Sequence, residues 1–279
     1  MPAESTLNER RLDVSVCIGR VRNNRGMDLG LAGQVYVVTG GTQGLGRAGA
    51  EALVADGARV VVCSRDGGRV REAVENLGGE DSARGVAADI ADPGAAGRLV
   101  DAATTAFGRL DGALLSVGGP AAGSVVDTTD QTWREAFETV FLGQLRCART
   151  VAAALGDGGS IVFVLSSSTR SPIPGLATSN GLRPGLAMVA KTLADELGPS
   201  GIRVNGLLPG RIDTPRGREL DDRSGDADAA RQRSEATIPL RRYGEPAELG
   251  RVAAFLLSPA ASYLTGVMLP VDGGMLRTI

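Results

Sequence analysis

Two short stretches of the chain carry residues whose types and spacing could do chemistry. In TGGTQGLG, residues 39–46, glycines stand at 40, 44 and 46. At the end of a strand, such a run lets the turn tighten and lets backbone approach a pyrophosphate. It also lets the following helix pack on the sheet with its N-terminal amides facing the phosphates. In SNGLRPG, residues 179–185, the hydroxyl of Ser179 precedes the guanidinium of Arg183 by four positions. Arginine supplies fixed charge and a planar fork of donors but releases no proton at ordinary pH. A serine hydroxyl is far less acidic than a phenol, whose reference pKa is about 10. The pair therefore offers charge stabilisation rather than acid catalysis.

The chain has no histidine, which removes the commonest acid or base near neutral pH. Tyr243 and Tyr263 are the phenols that could replace it, but both lie in C-terminal segments where packing is their expected role. Cys17, Cys63 and Cys147 are widely spaced without a C-x-x-C, so zinc ligand sets cannot be built and no metal is expected. Cys63 and Cys147 fall in apolar-periodic segments and read as buried, reduced thiols, which fits a cytoplasmic protein.

The elements that must position these residues follow from the apolar pattern. From residue 34, short β-branched runs alternate with Ala/Leu-rich helical stretches. Strands are expected at 35–39, 59–63, 85–88, 112–116, 160–165, 203–208 and 267–270. Helices are expected near 45–56, 67–77, 94–106, 131–154, 185–197 and 246–257. The alternation predicts an α/β fold: a single doubly wound Rossmann-type domain over 27–279, with a seven-stranded parallel sheet flanked by helices on both faces. Residues 1–26 carry five arginines and no sustained period, and read as a disordered extension. Residues 215–236 are charged and poorly periodic and suit a mobile lid. Pro184, flanked by Gly181 and Gly185, predicts a helix that starts late or kinks there, leaving SNGL as a loop.

The second strand ends in VVVCSRD, residues 60–66. An acidic residue at this strand end clamps a free ribose 2′-hydroxyl, whereas a 2′-phosphate needs a cation. Ser64 and Arg65 stand there and Asp66 comes one place too late, so NADP (NADPH) is favoured over NAD.

With these motifs in place, the chain resembles the classical short-chain dehydrogenase/reductase family over about residues 30–279. AADI, 87–90, looks like the family's adenine-capping aspartate, and IRVNGLLPGRIDT, 202–214, like the strand and Pro-Gly turn that hold the nicotinamide amide. GVMLPVDGG, 266–274, looks like its C-terminal strand and turn. The resemblance implies a cofactor seat built from Gly40, Thr42, Gln43, Gly44, Leu45, Gly46, Ser64, Arg65, Asp89, Ile90, Ser116, Gly118, Pro209, Gly210, Ile212 and Thr214. Counting back from the helix AKTLADELGPSGIRVN puts the family's proton-donating tyrosine at Ser179, its lysine at Arg183 and its serine at Ser166. Its asparagine falls at Val140. The Asn-Asn-Ala-Gly turn becomes SVGG, 116–119. The site residues implied for chemistry are Ser166, Ser179 and Arg183, the last also facing the cofactor ribose. The resemblance implies hydride transfer to a small organic carbonyl, enone, quinone-like or imine substrate, with an atypical catalytic site lacking the Tyr-x-x-x-Lys pair.

A net charge of −2 and the absence of a long basic run exclude an electrostatic footprint for nucleic acid or an anionic membrane. No segment has the apolar length to span a bilayer. A non-redox enzyme of the same fold (cyclisation, elimination or isomerisation) and an NADP-binding accessory subunit are the alternatives to a reductase. Retention of Pro209, Gly210, Ile212 and Thr214 favours the reductase, since a scaffold without hydride transfer needs them less. The long helix from 131 and the helix after Pro184 are the expected faces of a homodimer or homotetramer.

Overall fold

Val, Ile and Leu fill both faces of the strands because both faces are covered. A computed structural model describes residues 28–223 and 225–278, and the 1–26 segment lies outside them. The chain runs β1 Val35–Thr39, α1 Gly44–Ala55, β2 Arg59–Ser64, α2 Gly67–Asn76, β3 Ala83–Ala87 and α3 Ala95–Phe107. It continues through β4 Gly112–Leu115, α4 Asp130–Ala136, α5 Gly143–Leu155, β5 Gly159–Val164, α6 Ala177–Leu197 and β6 Ile202–Pro209. Last come α7 Pro215–Asp222, α8 Ala227–Thr237, α9 Pro246–Leu257 and β7 Met268–Val271. The seven strands form one parallel sheet in the order β3-β2-β1-β4-β5-β6-β7.

Successive strand residues point to opposite faces, and the core divides accordingly. Val35, Val37, Val61, Ala113, Leu115, Ile161 and Phe163 pack with α3, α5 and α6 through Leu99, Val151 and Leu186. Tyr36, Val38, Val60, Val62, Leu114 and Val162 pack on the other side with α1 and α9 through Leu53, Leu249 and Leu256. Helices α1 and α9 cross closely at Gly250, where a Cβ would lie 2.3 Å from the Ala48 carbonyl.

The chain leaves β1 in one direction along the sheet and returns to its other side at β4. That reversal opens a crevice beyond the C-terminal ends of the two strands. A pair of hydrogen bonds fixes its floor: Thr39 Oγ1 donates to the Ser116 carbonyl at 2.7 Å and accepts from the Ser116 amide at 2.9 Å.

Three segments differ from the sequence-based expectation. The helix expected at 131–154 is divided by a wider π-type turn, Phe137–Leu142. Here the buried Gln144 amide donates to the Val140 carbonyl at 2.8 Å, and Phe137 stacks on Phe141 at 5.2 Å. The stretch 215–236 is helical, as α7 and α8. Thr214 and Asp226 cap these helices by accepting from the Gly217 and Ala229 amides, and α8 buries no residue fully. Its lack of an apolar stripe is why periodicity hid it.

The third difference is α6, which begins at Ala177 and runs through Pro184 rather than starting after it. An internal proline costs a helix about 3 kcal/mol. Tertiary contacts on the first turn offset that. The Asn180 side chain brackets Ile173, accepting from its amide at 3.0 Å and donating to its carbonyl at 2.8 Å. The Ala177 amide donates to the Gly123 carbonyl at 3.1 Å. Gly181 lets the Trp133 ring lie against the helix, since a Cβ there would meet it at 2.8 Å. The expected loop is therefore replaced by a helical turn, and Ser179 and Arg183 share one face of it.

Candidate active site

The crevice is the mouth of a cavity of about 880 Å³. All the residues expected at the cofactor seat and the reaction centre line it except Gly46. That glycine lies behind the wall, where a Cβ would come within 2.4 Å of the Gly40 carbonyl. It sets helix-to-strand packing rather than contact with a ligand.

At one end of the cavity the turn from β1 into α1 carries Gly40 and Gly44 at φ 59° and 57°, a conformation that favours glycine. A Cβ on Gly44 would find nothing within 4 Å, so backbone there is open to a close-lying phosphate. Thr42, Gln43 and Leu45 complete this wall. Ser64 and Arg65, at the end of β2, face the same space, and Arg65 has no ion pair among the described residues. Asp66 instead caps α2, accepting from the Gly68 amide at 2.8 Å and the Arg69 amide at 3.2 Å. Those amides hold its carboxyl below the usual range. Asp89 and Ile90 follow β3, and the Asp89 carboxylate accepts from the Ala91 amide at 3.0 Å. Cys63 also touches the cavity, but burial pushes its thiol up to about 11, so it is not a thiolate at neutral pH. Cys147 is buried as expected, whereas Cys17 lies outside the described residues.

The other end is built by β4, β5, β6 and α6. Ser116 and Gly118 form one wall, and Pro209, Gly210, Ile212 and Thr214 the opposite one. Ser166, just past β5, accepts from the Ser168 amide at 3.0 Å. Ser179 Oγ lies 3.1 Å from Ser168 Oγ. Arg183 is 5% exposed and donates from Nη1 to the Val164 carbonyl at 2.8 Å. It has no carboxylate partner among the described residues, and burial pulls its pKa down to about 10. At neutral pH it is a desolvated cation on the cavity wall.

Among the described residues, no tyrosine lines this cavity. The Tyr243 hydroxyl donates to Asp221 at 3.0 Å under the Arg231 guanidinium, 4.6 Å from the ring centre, so it packs as expected. Tyr263 does not pack: it is fully exposed. Tyr36 is a core residue, its phenol pushed up by burial.

Sequence reasoning missed the arginine latch over the cavity. Arg216 Nη2 donates to the Pro120 carbonyl at 2.6 Å, tying α7 to the loop after β4. Asp213 accepts from Arg218 at 2.9 Å and Arg231 at 3.3 Å, joining α7 and α8 to the end of β6. The signal was the interleaved arginines and carboxylates of 211–235.

A glycine turn at a β1–β4 crevice, with a cation at the end of β2, defines a dinucleotide-binding α/β protein. Residues 40–276 match the family model described as enoyl-(acyl carrier protein) reductase. The chain is 36% identical over 249 residues to human dehydrogenase/reductase SDR family member 4, covering 88% of each chain. It is 34% identical to the 2,5-dichloro-2,5-cyclohexadiene-1,4-diol dehydrogenase of Sphingobium indicum, covering 88% of this chain and 97% of the relative. Among solved structures, the L-sorbose reductase of Gluconobacter frateurii, complexed with NADPH and L-sorbose, superposes with a TM-score of 0.84. The identity is 31%, covering 91% of this chain and all of that one. The chain belongs to the short-chain dehydrogenase/reductase family of oxidoreductases.

Proposed function

We propose that this chain is an NADPH-dependent reductase whose acceptor takes hydride without a protein acid: a conjugated enone, a quinone-like ring or an iminium. The observation that carries the reading is the make-up of the reaction end of the cavity. Ser166, Ser179 and Arg183 line it together with other hydroxyls and arginines, among them Thr139, Ser167, Arg211 and Arg216, and among the described residues the wall's one carboxylate, Asp89, follows β3 at the far end. A family tyrosine and lysine would stand at Ser179 and Arg183.

NADPH, when bound, supplies the hydride. The α1 N-terminus and the open backbone at Gly44 hold the pyrophosphate. Arg65 takes the 2′-phosphate, and Asp89 the adenine amino group. Pro209, Gly210, Ile212 and Thr214 hold the nicotinamide side. Ser166 donates to the acceptor oxygen. Arg183, fixed by Val164 and poorly screened, stabilises negative charge developing there. Solvent water supplies the proton, to carbon for an enone's enolate and to oxygen for a quinone's reduced anion, whereas hydride turns an iminium into a neutral amine that needs none. The outward faces of α5 and α6, with Met188 67% exposed on α6, would join copies into a homodimer or homotetramer.

The test is NADPH oxidation, followed optically, with a panel of enones, quinones, iminium ions and simple ketones. The reading expects turnover with the conjugated or charged acceptors and little with the ketones. Tight NADPH binding without oxidation by any member of the panel would overturn it in favour of a non-redox enzyme or accessory subunit.

A further inference from the structure

Beneath α7 and α8 lies a second cavity of about 520 Å³. It shares Ser167, Ile173, Pro174, Arg211, Leu220 and Met275 with the first, so the two meet along a common wall. The α8 face that closes it is Ala230, Arg233, Ser234 and Thr237, residues spaced to lie along one side of a helix. A helix covering an apolar core would present leucines there. This one presents small and polar side chains, and the rest of the lining combines an apolar strip, Pro172, Ile173 and Leu276, with Ser167, Ser171, Arg211 and Asp221.

Charge adds the second observation. Arg216, Arg218, Arg223 and Arg231 each have a carboxylate within 3.4 Å. Arg233, on the same segment, has none among the described residues. Arg211 reaches the buried Asp221 at only 3.6 Å, and that carboxylate also accepts from Tyr243. Asp221, on the same lining, is set against Arg211, which leaves Arg233, itself open to solvent, as the cavity's cation without a carboxylate partner among the described residues.

We propose that this cavity is a distal subsite for the anionic tail of an elongated substrate, a carboxylate held by Arg233. The apolar strip takes the tail's midsection, and the acceptor group reaches Ser166 and Arg183. The proposal rests on the reductase reading for the position of the acceptor. The distal seat is tested by binding alone.

The probes are 2-cyclohexenones carrying a short, medium or long alkyl chain at C3 that ends in a carboxylate or in the matching carboxamide. Each is titrated calorimetrically into the full chain saturated with NADP⁺, where no hydride can move. The expected result, at one chain length or more, is a carboxylate bound about tenfold more tightly than its carboxamide, as a charge-assisted bond implies. The preference should fall to within about twofold in Arg233→Gln, persist in Arg218→Gln and shrink with added salt. Equal affinity, absence of binding by either probe, or a preference that survives Arg233→Gln overturns the proposal. So does a preference abolished by Arg183→Gln instead, which would put the anion at the reaction centre. Failure of the bound carboxylate to oxidise NADPH sinks the reductase reading, while the distal seat still stands or falls on the affinity ratio.

Discussion

The two ends of the main cavity solve different problems with different materials. The end formed by β1, α1 and β2 is largely backbone: glycine turns, helix N-terminal amides, and one exposed cation, Arg65, with no ion pair among the described residues. The end formed by β5, β6 and α6 is side chains held from behind, with Arg183 fixed on Val164, Ser179 beside Ser168, and Ser166 capping its own turn. A backbone seat tolerates much sequence change, because only the glycines are dictated. A side-chain site is rewritten by two substitutions. That contrast lets members of one family share a nucleotide fold while their reaction centres vary.

The largest expected effect tests the reaction end. Arg183→Gln should lower kcat for enone reduction by about 100- to 1000-fold, the loss seen when one preorganised oxyanion donor is removed. The same change should leave the melting temperature unchanged or raise it, because a buried cation without a carboxylate destabilises the fold. A variant that melts earlier and turns over normally would make Arg183 a structural brace and erase the contrast.

Next comes the cofactor end. Arg65→Glu should weaken NADPH binding about 10- to 100-fold, the worth of a charge-assisted hydrogen bond, measured by quenching or calorimetry. NADH, which lacks the 2′-phosphate, should be affected far less. Equal losses for both cofactors would show that Arg65 supports the loop rather than reading the phosphate.

The same division decides what the sequence could disclose. TGGTQGLG and Arg65 are local signals, each complete within a few residues, and Gly40, Thr42, Gln43, Gly44 and Leu45 of the motif line one cavity with Arg65. Pro184 is also a local signal, but the helix ignores it: Asn180 and Trp133 hold the first turn through partners from other segments. The helices α7 and α8 were hidden because their order comes from caps and from arginine–carboxylate pairs rather than an apolar stripe. The Gln144 bond to Val140 needs the π-type turn that makes it, which no periodicity encodes. Strand positions were legible to within about two residues; β1, β2 and β5 carry β-branched runs because both their faces are buried, whereas the edge strands β3 and β7 are only partly buried.

The pH profile is a smaller effect that sharpens the contrast further. Among the described residues no tyrosine, cysteine or carboxylate lines the reaction end, so kcat/KM should be level between about pH 6 and 9, unlike a profile governed by a phenol. Arg183 is charged below its pKa of about 10, so activity should fall as pH rises through about 10 and the cation is lost. Stability moves the other way. Burial holds the folded-state pKa below the unfolded value, so the cost of burying the cation is complete below about pH 10 and is relieved above it. A sharp inflection near neutrality would reveal a titrating acid that the cavity wall does not display.

The smallest effect compares two threonine caps. Thr129 caps α4 by accepting from the Thr132 amide at 3.2 Å and is not on the cavity wall. Thr214 caps α7 by accepting from the Gly217 amide at 3.0 Å and is on the wall beside Ile212. Replacing either by alanine removes one cap and should cost about 1 kcal/mol of stability, read as a drop in melting temperature. Only Thr214→Ala should also raise the KM for NADPH, by a few-fold, because α7 starts at the cavity wall proposed to hold the nicotinamide and Arg216 carries its position to Pro120. Thr214→Ser keeps the accepting oxygen and should recover both quantities. If Thr129→Ala raises the KM equally, the effect is global softening, and the cap at β6 has no special bearing on the cofactor.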